Sequence, residues 1–289
     1  MSHSVAAHVR PGRFPGIWAL GVGLWLALSG PCAAAPARVV SINLCTDQLA
    51  MALAAPGQLV SVTHLARDPG TSVMAETAAA FPVNHGQAEE VYLMHPDLVL
   101  AGRYTAQPTV AMLRRLGIAV EIFEPAESFA GMQADIIRMG QVLGREDEAQ
   151  AMAADFAERL SRLRDAAAPG PRPVAATWSA RGYMSGRESL AGEIIETAGF
   201  DNLATRLGRD RGSFLPLEAL VLAAPDLVVT GRLEKGHSRA EEPLTHPAFR
   251  ALTGNRTALE DRDWICGLPS VLDATERLRR ARAAIGGAE

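Results

Sequence analysis

The chain contains a single lysine, Lys235, so every other residue among its 28 Lys and Arg is arginine. That skew reflects genome composition before function. Acidic residues number 32, and the net charge of -4 excludes the basic field that a nucleic-acid binder presents. Three cysteines are too few for a disulfide scaffold, and no C-x-x-C pair is present to build a zinc ribbon or a thioredoxin site. Absent too are the G-x-x-x-x-G-K-[ST] loop of a nucleotide hydrolase, a G-x-S-x-G nucleophile elbow and an H-E-x-x-H zinc helix. One long uncharged apolar run occurs, from Ile17 to Leu28, and it is too short to span a bilayer comfortably. With 48% hydrophobic and 21% charged residues over 289 positions, the composition is globular and fits one large domain or two.

What is present begins with a basic start. Arg10 and Arg13 precede the apolar run, which breaks at Ser29-Gly30-Pro31 and meets the small-residue tract from Cys32 to Ala37. This pattern reads as a secretory signal peptide over residues 1–37, cut after Ala37. Pro36 disfavours cleavage after Ala35, and Pro31 weakens a lipoprotein reading through Cys32. The mature chain is expected to be soluble and exported to the periplasm.

From Val39 onward, short apolar strands alternate with helical segments, which implies parallel α/β sheets. At Ser128 the period changes. Phe129, Met132, Ile136, Met139 and Leu143 recur at helical spacing, and the stripe resumes after Gly144 with Ala149, Met152, Phe156, Leu160 and Leu163. The spacing predicts one long helix over 128–168, kinked at Gly144, joining an N-terminal lobe (38–127) to a C-terminal lobe (169–289). An internal repeat supports two related lobes. Glu89-x-Val91-x-x-Met94-x-Pro96-Asp97-Leu98-Val99-Leu100-x-Gly102-Arg103 matches Glu218-x-Leu220-x-x-Ala223-x-Pro225-Asp226-Leu227-Val228-Val229-x-Gly231-Arg232 at one constant offset.

The opening Val39-Val40-Ser41-Ile42-Asn43, the two Glu-to-Pro-Asp-Leu-Val segments and the helix carrying Leu143-Gly144-Arg145 together resemble the substrate-binding proteins of ABC importers for ferric siderophores and vitamin B12. The resemblance spans the mature chain. It implies an α/β fold of two lobes with central parallel sheets, joined by one long inter-lobe helix, with the ligand cleft between them. It also implies a monomer without cofactor or metal of its own, whose transported ligand is a metal chelate. The chelate passes to an inner-membrane permease powered by its ATPase, and Glu89 and Glu218 fall on the family's two docking glutamates.

Open α/β sheets bind ligands beyond the carboxyl ends of their strands. In the first lobe that rule selects Cys45, Thr46 and Asp47, then His64 and Leu65, then Arg103 and Tyr104. In the second it selects Trp178, Arg181 and Tyr183, then Arg232, then Trp264 and Cys266. Arg103, Arg181 and Arg232 could neutralise an anionic ligand. B12-binding members of the family carry several first-lobe aromatics, where the register of Glu89 places Leu65, Asn84 and Gly102 here. A heme reading needs an axial ligand, for which His85 and then His64 are the candidates.

Two alternatives come from other classes. Cys45 could serve as a nucleophile beside His64 or His85 in a periplasmic enzyme. A free-metal binder could use His64, His85, His237 and His246, although His237 and His246 show no ligand spacing. Cys45 and Cys266 survive cleavage; an oxidising compartment favours their pairing, but sequence cannot place them within bonding reach.

Overall fold

The computed structural model describes residues 34–166, 170–231, 239–252 and 256–286; the expected export signal, as far as residue 33, lies outside them. No helix among the described residues is long and apolar enough to cross a membrane.

The first lobe opens with β1 (Val39–Ser41), α1 (Leu44–Leu53), β2 (Leu59–Thr63), α2 (Ala75–Ala78), β3 (Val83–Asn84) and α3 (Ala88–Tyr92). It continues through β4 (Leu98–Gly102), α4 (Gln107–Arg115) and β5 (Ala119–Phe123). Its strands run parallel in the order β3-β2-β1-β4-β5. Val39, Val40, Val99 and Leu100 are completely buried, as expected for parallel strands covered on both faces. Helix α1 starts where it does because the Asn43 side chain accepts the Cys45 and Thr46 amides. A side chain at Gly102 would collide with that cap, so this strand end needs glycine.

Ser128 caps α5 (Phe129–Leu143) as expected, accepting the Gly131 N–H at 3.0 Å. The stretch 128–168 is nevertheless not a single kinked helix. Gly144 takes a left-handed conformation (φ 66°, ψ 40°) that ends α5, and α6 (Glu146–Asp165) then runs back along it. The Phe129 and Phe156 rings meet edge-on at 5.7 Å, and Gln133 Nε2 donates to the Ala153 carbonyl. On one continuous helix those two rings would stand about 40 Å apart, given the rise of about 1.5 Å per residue. The connection is therefore an antiparallel hairpin whose longer arm, α6, has 20 residues. Both arms cross both lobes. Ile136, Met139, Leu143, Ala149 and Ala153 pack into the first core, while Phe129, Met132, Phe156, Leu160 and Leu163 pack into the second.

The second lobe contains β6 (Val174–Thr177), β7 (Tyr183–Met184), α7 (Leu190–Thr197), β8 (Asp201–Asn202), α8 (Leu203–Arg206) and β9 (Ser213–Phe214). It goes on with α9 (Leu217–Ala223), β10 (Leu227–Thr230), α10 (Glu242–Thr245), α11 (Pro247–Ala251), β11 (Arg256–Ala258) and α12 (Val271–Gly286). Its main sheet is again parallel, ordered β11-β10-β6-β8, with β7 and β9 forming a small antiparallel pair. The two lobes thus repeat one topology.

The repeat in the sequence has a physical basis. Asp97 Oδ2 accepts the Ala37 and Arg38 amides at 2.9 Å, just before β1, and Asp226 Oδ2 accepts the Val174 amide at 2.7 Å, at the start of β6. Each aspartate ties the start of its own strand to the strand beside it. His95 (φ 49°) and Ala224 (φ 43°), at equivalent positions, both turn left-handed between the preceding helix and the Pro-Asp pair.

Candidate ligand cleft

In the first sheet the strand order reverses direction between β1 and β4, and a crevice at such a switch point is the expected ligand site. A cavity of about 340 Å³ lies there, near the lower end of the range for small-molecule sites. Asn43 to Thr46 beyond β1, Gly102 to Tyr104 beyond β4 and Phe123 to Ala126 beyond β5 form its walls. Asp135 of α5 enters from the side, and Ile265 and Gly267 close it from the far end of the chain.

That last segment is held covalently. Cys45 and Cys266 form a disulfide with their Cα atoms 5.1 Å apart, closing a loop of 221 residues. The question the sequence left open is answered by packing. Cys266 and Leu268 join the first-lobe core despite their late position in the chain, and Arg262 Nη1 reaches the Pro69 carbonyl at 3.1 Å.

The expected site residues separate into distinct groups. Cys45, Thr46, Arg103 and Tyr104 do line this cavity, with Tyr104 standing 86% exposed at its edge. Asp47 does not. It is completely buried, its Oδ2 accepting the Thr63 amide and hydroxyl at the end of β2, because the helix turns it toward the neighbouring strand rather than into the crevice. Burial pushes its carboxyl up to about 7, against the opposing effect of hydrogen bonds from Ser41 and Thr63. Leu65 is exposed away from the cavity, and His64 and His85 stack on one another.

In the second lobe, Trp178 is 1% exposed, stacks on Phe249 at 4.8 Å and gives its indole N–H to the Leu215 carbonyl. It belongs to the core, and its edge forms part of a second cavity of about 420 Å³ with Arg181 and Glu218. Arg181 sits there in a left-handed backbone conformation (φ 60°, ψ 11°). Tyr183 packs edge-on against Phe214 outside both cavities. Trp264 is half-buried against the second core. Arg232 and His237 lie outside the described residues.

A model of the family described as periplasmic binding protein matches residues 39–256. The chain belongs to this family. It is a substrate-binding protein with the two parallel α/β lobes its sequence implied, joined by a hairpin rather than by one helix. A cobalamin-binding protein of Halobacterium salinarum is 27% identical over 255 residues, covering 85% of this chain and 69% of that protein. The solved structure of the periplasmic heme-binding protein RhuT from Roseiflexus sp. RS-1 superposes with a TM-score of 0.68 at 23% identity, over 85% of this chain and 98% of that one. The periplasmic vitamin B12 binding protein BtuF of Vibrio cholerae gives 0.65 at 18% identity, over 87% and 98%.

The electrostatics of this binding protein's cleft correct another expectation. Of the three arginines, the two that are described do not share one cavity, and Arg232 lies outside the described residues. Arg103 is paired with Glu124 at 3.0 Å, and Arg181 borders the other cavity. Asp135 adds a further carboxyl to the first cavity, and burial raises its proton affinity, assisted by the nearby Glu124 and opposed by Arg138. Asp135 escaped the strand-end rule because it comes from the hairpin, although its place between Met132 and Ile136 marks an acidic interruption of an apolar stripe. The loop from Phe123 to Ala126 follows β5 and could have been found by the same rule that found Arg103.

Proposed function

We propose that this periplasmic binding protein captures a metal chelate of low negative charge, a corrinoid before a ferric siderophore or heme, and delivers it to an inner-membrane permease. The observation that carries this reading is the cavity's charge. Its walls are largely apolar, and the charged side chains among its described lining are Glu124, Asp135 and an Arg103 already engaged by Glu124. Heme presents carboxylates and a ferric catecholate is an anion, whereas a corrinoid ring is edged with carboxamides. The named binding activity of the Halobacterium salinarum relative supports the same choice. The protein binds and releases; Cys45 is held in a disulfide and is not available as the thiol nucleophile of the enzyme alternative.

The location follows from the same reading. Cleavage after Ala37 would release the chain into the periplasm and leave the new Arg38 ammonium facing Asp97 Oδ2. The disulfide suits that oxidising compartment.

Docking uses the exposed Glu89 and Glu218, which carry no ion pair among the described residues. One helical turn beyond each glutamate stands an exposed leucine at the equivalent position, Leu93 at 72% and Leu222 at 86%. Two copies of a charge beside an apolar knob suit a permease that presents the same surface twice. As rim charges the glutamates orient the encounter more than they fix its strength.

Calorimetric titration of the mature chain with cyanocobalamin, a ferric hydroxamate, a ferric catecholate and heme tests the ligand. One-to-one binding of cyanocobalamin is expected; tight binding of only the catecholate or heme would overturn the charge argument. Reversing Glu89 and Glu218 to arginine should abolish uptake with ligand affinity intact. Lost ligand binding in that variant would make the glutamates structural.

A further inference from the structure

His64 and His85 are brought together by strand register. β2 and β3 are neighbours, with Thr63 opposite Asn84, so the residue following each strand arrives at the same edge of the sheet. The two imidazoles stack with centroids 5.0 Å apart and planes 25° from parallel, and both residues are exposed. Glu90, in the first turn of α3, grips His85 twice. Its Oε2 accepts the His85 amide at 2.7 Å, and its Oε1 lies 3.4 Å from the ring Nδ1. A carboxylate on one ring nitrogen is how metal-ligating histidines are held, because it fixes the tautomer and leaves the other nitrogen's lone pair free. No other hydrogen-bonding partner claims either ring among the described residues.

We propose that His64 and His85 form a two-nitrogen site for a borderline divalent transition ion (Cu²⁺, Ni²⁺ or Zn²⁺), the exposed His64 ring turning out of the stack so that its in-plane lone pair meets that of His85, with Glu90 as the positioning residue behind His85. Imidazole suits these ions, and water or a small chelator supplies the remaining positions. Neither histidine lines the cavity at the switch point, so the site stands whether or not that cavity takes a corrinoid.

The probe is Cu²⁺ alone, the strongest binder of the divalent series, titrated into the untagged, disulfide-intact chain and read by calorimetry and electron paramagnetic resonance. One tightly bound ion with two nitrogen donors is expected. His64→Ala and His85→Ala should each lose one nitrogen and weaken binding at least tenfold. Glu90→Gln should retain both nitrogens and weaken binding by about 10- to 100-fold, the usual effect of removing a ligand-orienting partner. His64→Gln and His85→Gln give the same test should an alanine variant fail to fold. A double His64→Ala/His85→Ala variant that binds Cu²⁺ as tightly as the parent, or a parent spectrum with a single nitrogen donor, overturns the assignment.

Discussion

Asp47 makes a signed prediction about stability. Its carboxyl is completely buried and rises from 3.8 to about 7, first through desolvation and against the hydrogen bonds from Ser41 and Thr63. Between those two values the folded chain holds a proton that the unfolded chain has released. Stability contributed by this group is therefore full at low pH and falls as pH rises toward 7. Each unit corresponds to about 1.4 kcal/mol, so a shift of about three units gives an upper bound of about 4 kcal/mol. Asp47→Asn abolishes the titration and keeps an oxygen to accept from Thr63. Urea unfolding of both proteins from about pH 4.5 to 7.5 gives a difference curve in which the other titrating groups cancel. The variant should gain on the parent steadily with pH, by about 2–4 kcal/mol across that range. An amide that finds no partner shifts the whole curve but leaves its slope alone. A flat difference would mean Asp47 does not titrate in this window. In that case the hydrogen bonds win and the carboxylate is ionised in both folded and unfolded chains, and a difference running the other way emerges only below about pH 4.

The disulfide and the strand ties give two further expectations. Replacing Cys45 and Cys266 by serine opens a 221-residue loop, and chain entropy puts the loss at no more than about 5 kcal/mol. Urea unfolding of the oxidised and double-serine proteins measures it, and equal stabilities would show that the bond constrains nothing. Asp97→Ala and Asp226→Ala should each cost about 1 kcal/mol, since each removes an acceptor from strand-entry amides that remain partly hydrated. A loss confined to one of the two would show that the repeat is not energetically symmetric.

The sequence made the architecture legible where a local rule and a long-range pattern agreed. Ser128 capped α5, the parallel strands were read from apolar runs, and the matching Pro-Asp-Leu-Val segments proved to be equivalent strand entries with equivalent carboxylate ties. Gly144 shows where such reading ends. The apolar stripe resumes beyond it about 140° out of phase at 100° per residue, a break the sequence does carry, but a phase break alone does not distinguish a kink from the left-handed reversal the backbone makes there. The site was half legible for a similar reason. Strand ends are found from sequence, so Cys45 and Arg103 were identified, but whether a residue there faces the crevice depends on its helical phase. Asp47, two positions after Cys45, turns inward, and Asp135 reaches the cavity from an element the rule does not consider.

The hairpin and the disulfide together bear on how the protein closes on its ligand. A single connecting helix would leave the lobes free to bend about its axis. Here each arm of the hairpin contributes side chains to both cores, so bending would have to unpack Phe129 from Phe156 at one end or Leu143 from its neighbours at the other. A close-packed core resists such displacement. The segment around Cys266 supplies a further link, covalent at Cys45 and hydrogen-bonded through Arg262, on the same side as the cavity. With both cores sharing one hairpin and the cavity wall tethered across them, closure is limited to side chains and loops such as Arg103-Tyr104. Affinity must then come from a pocket formed in advance, and a permease that docks as proposed above would read the loaded protein through small changes near the docking carboxylates rather than through a large rotation of the lobes.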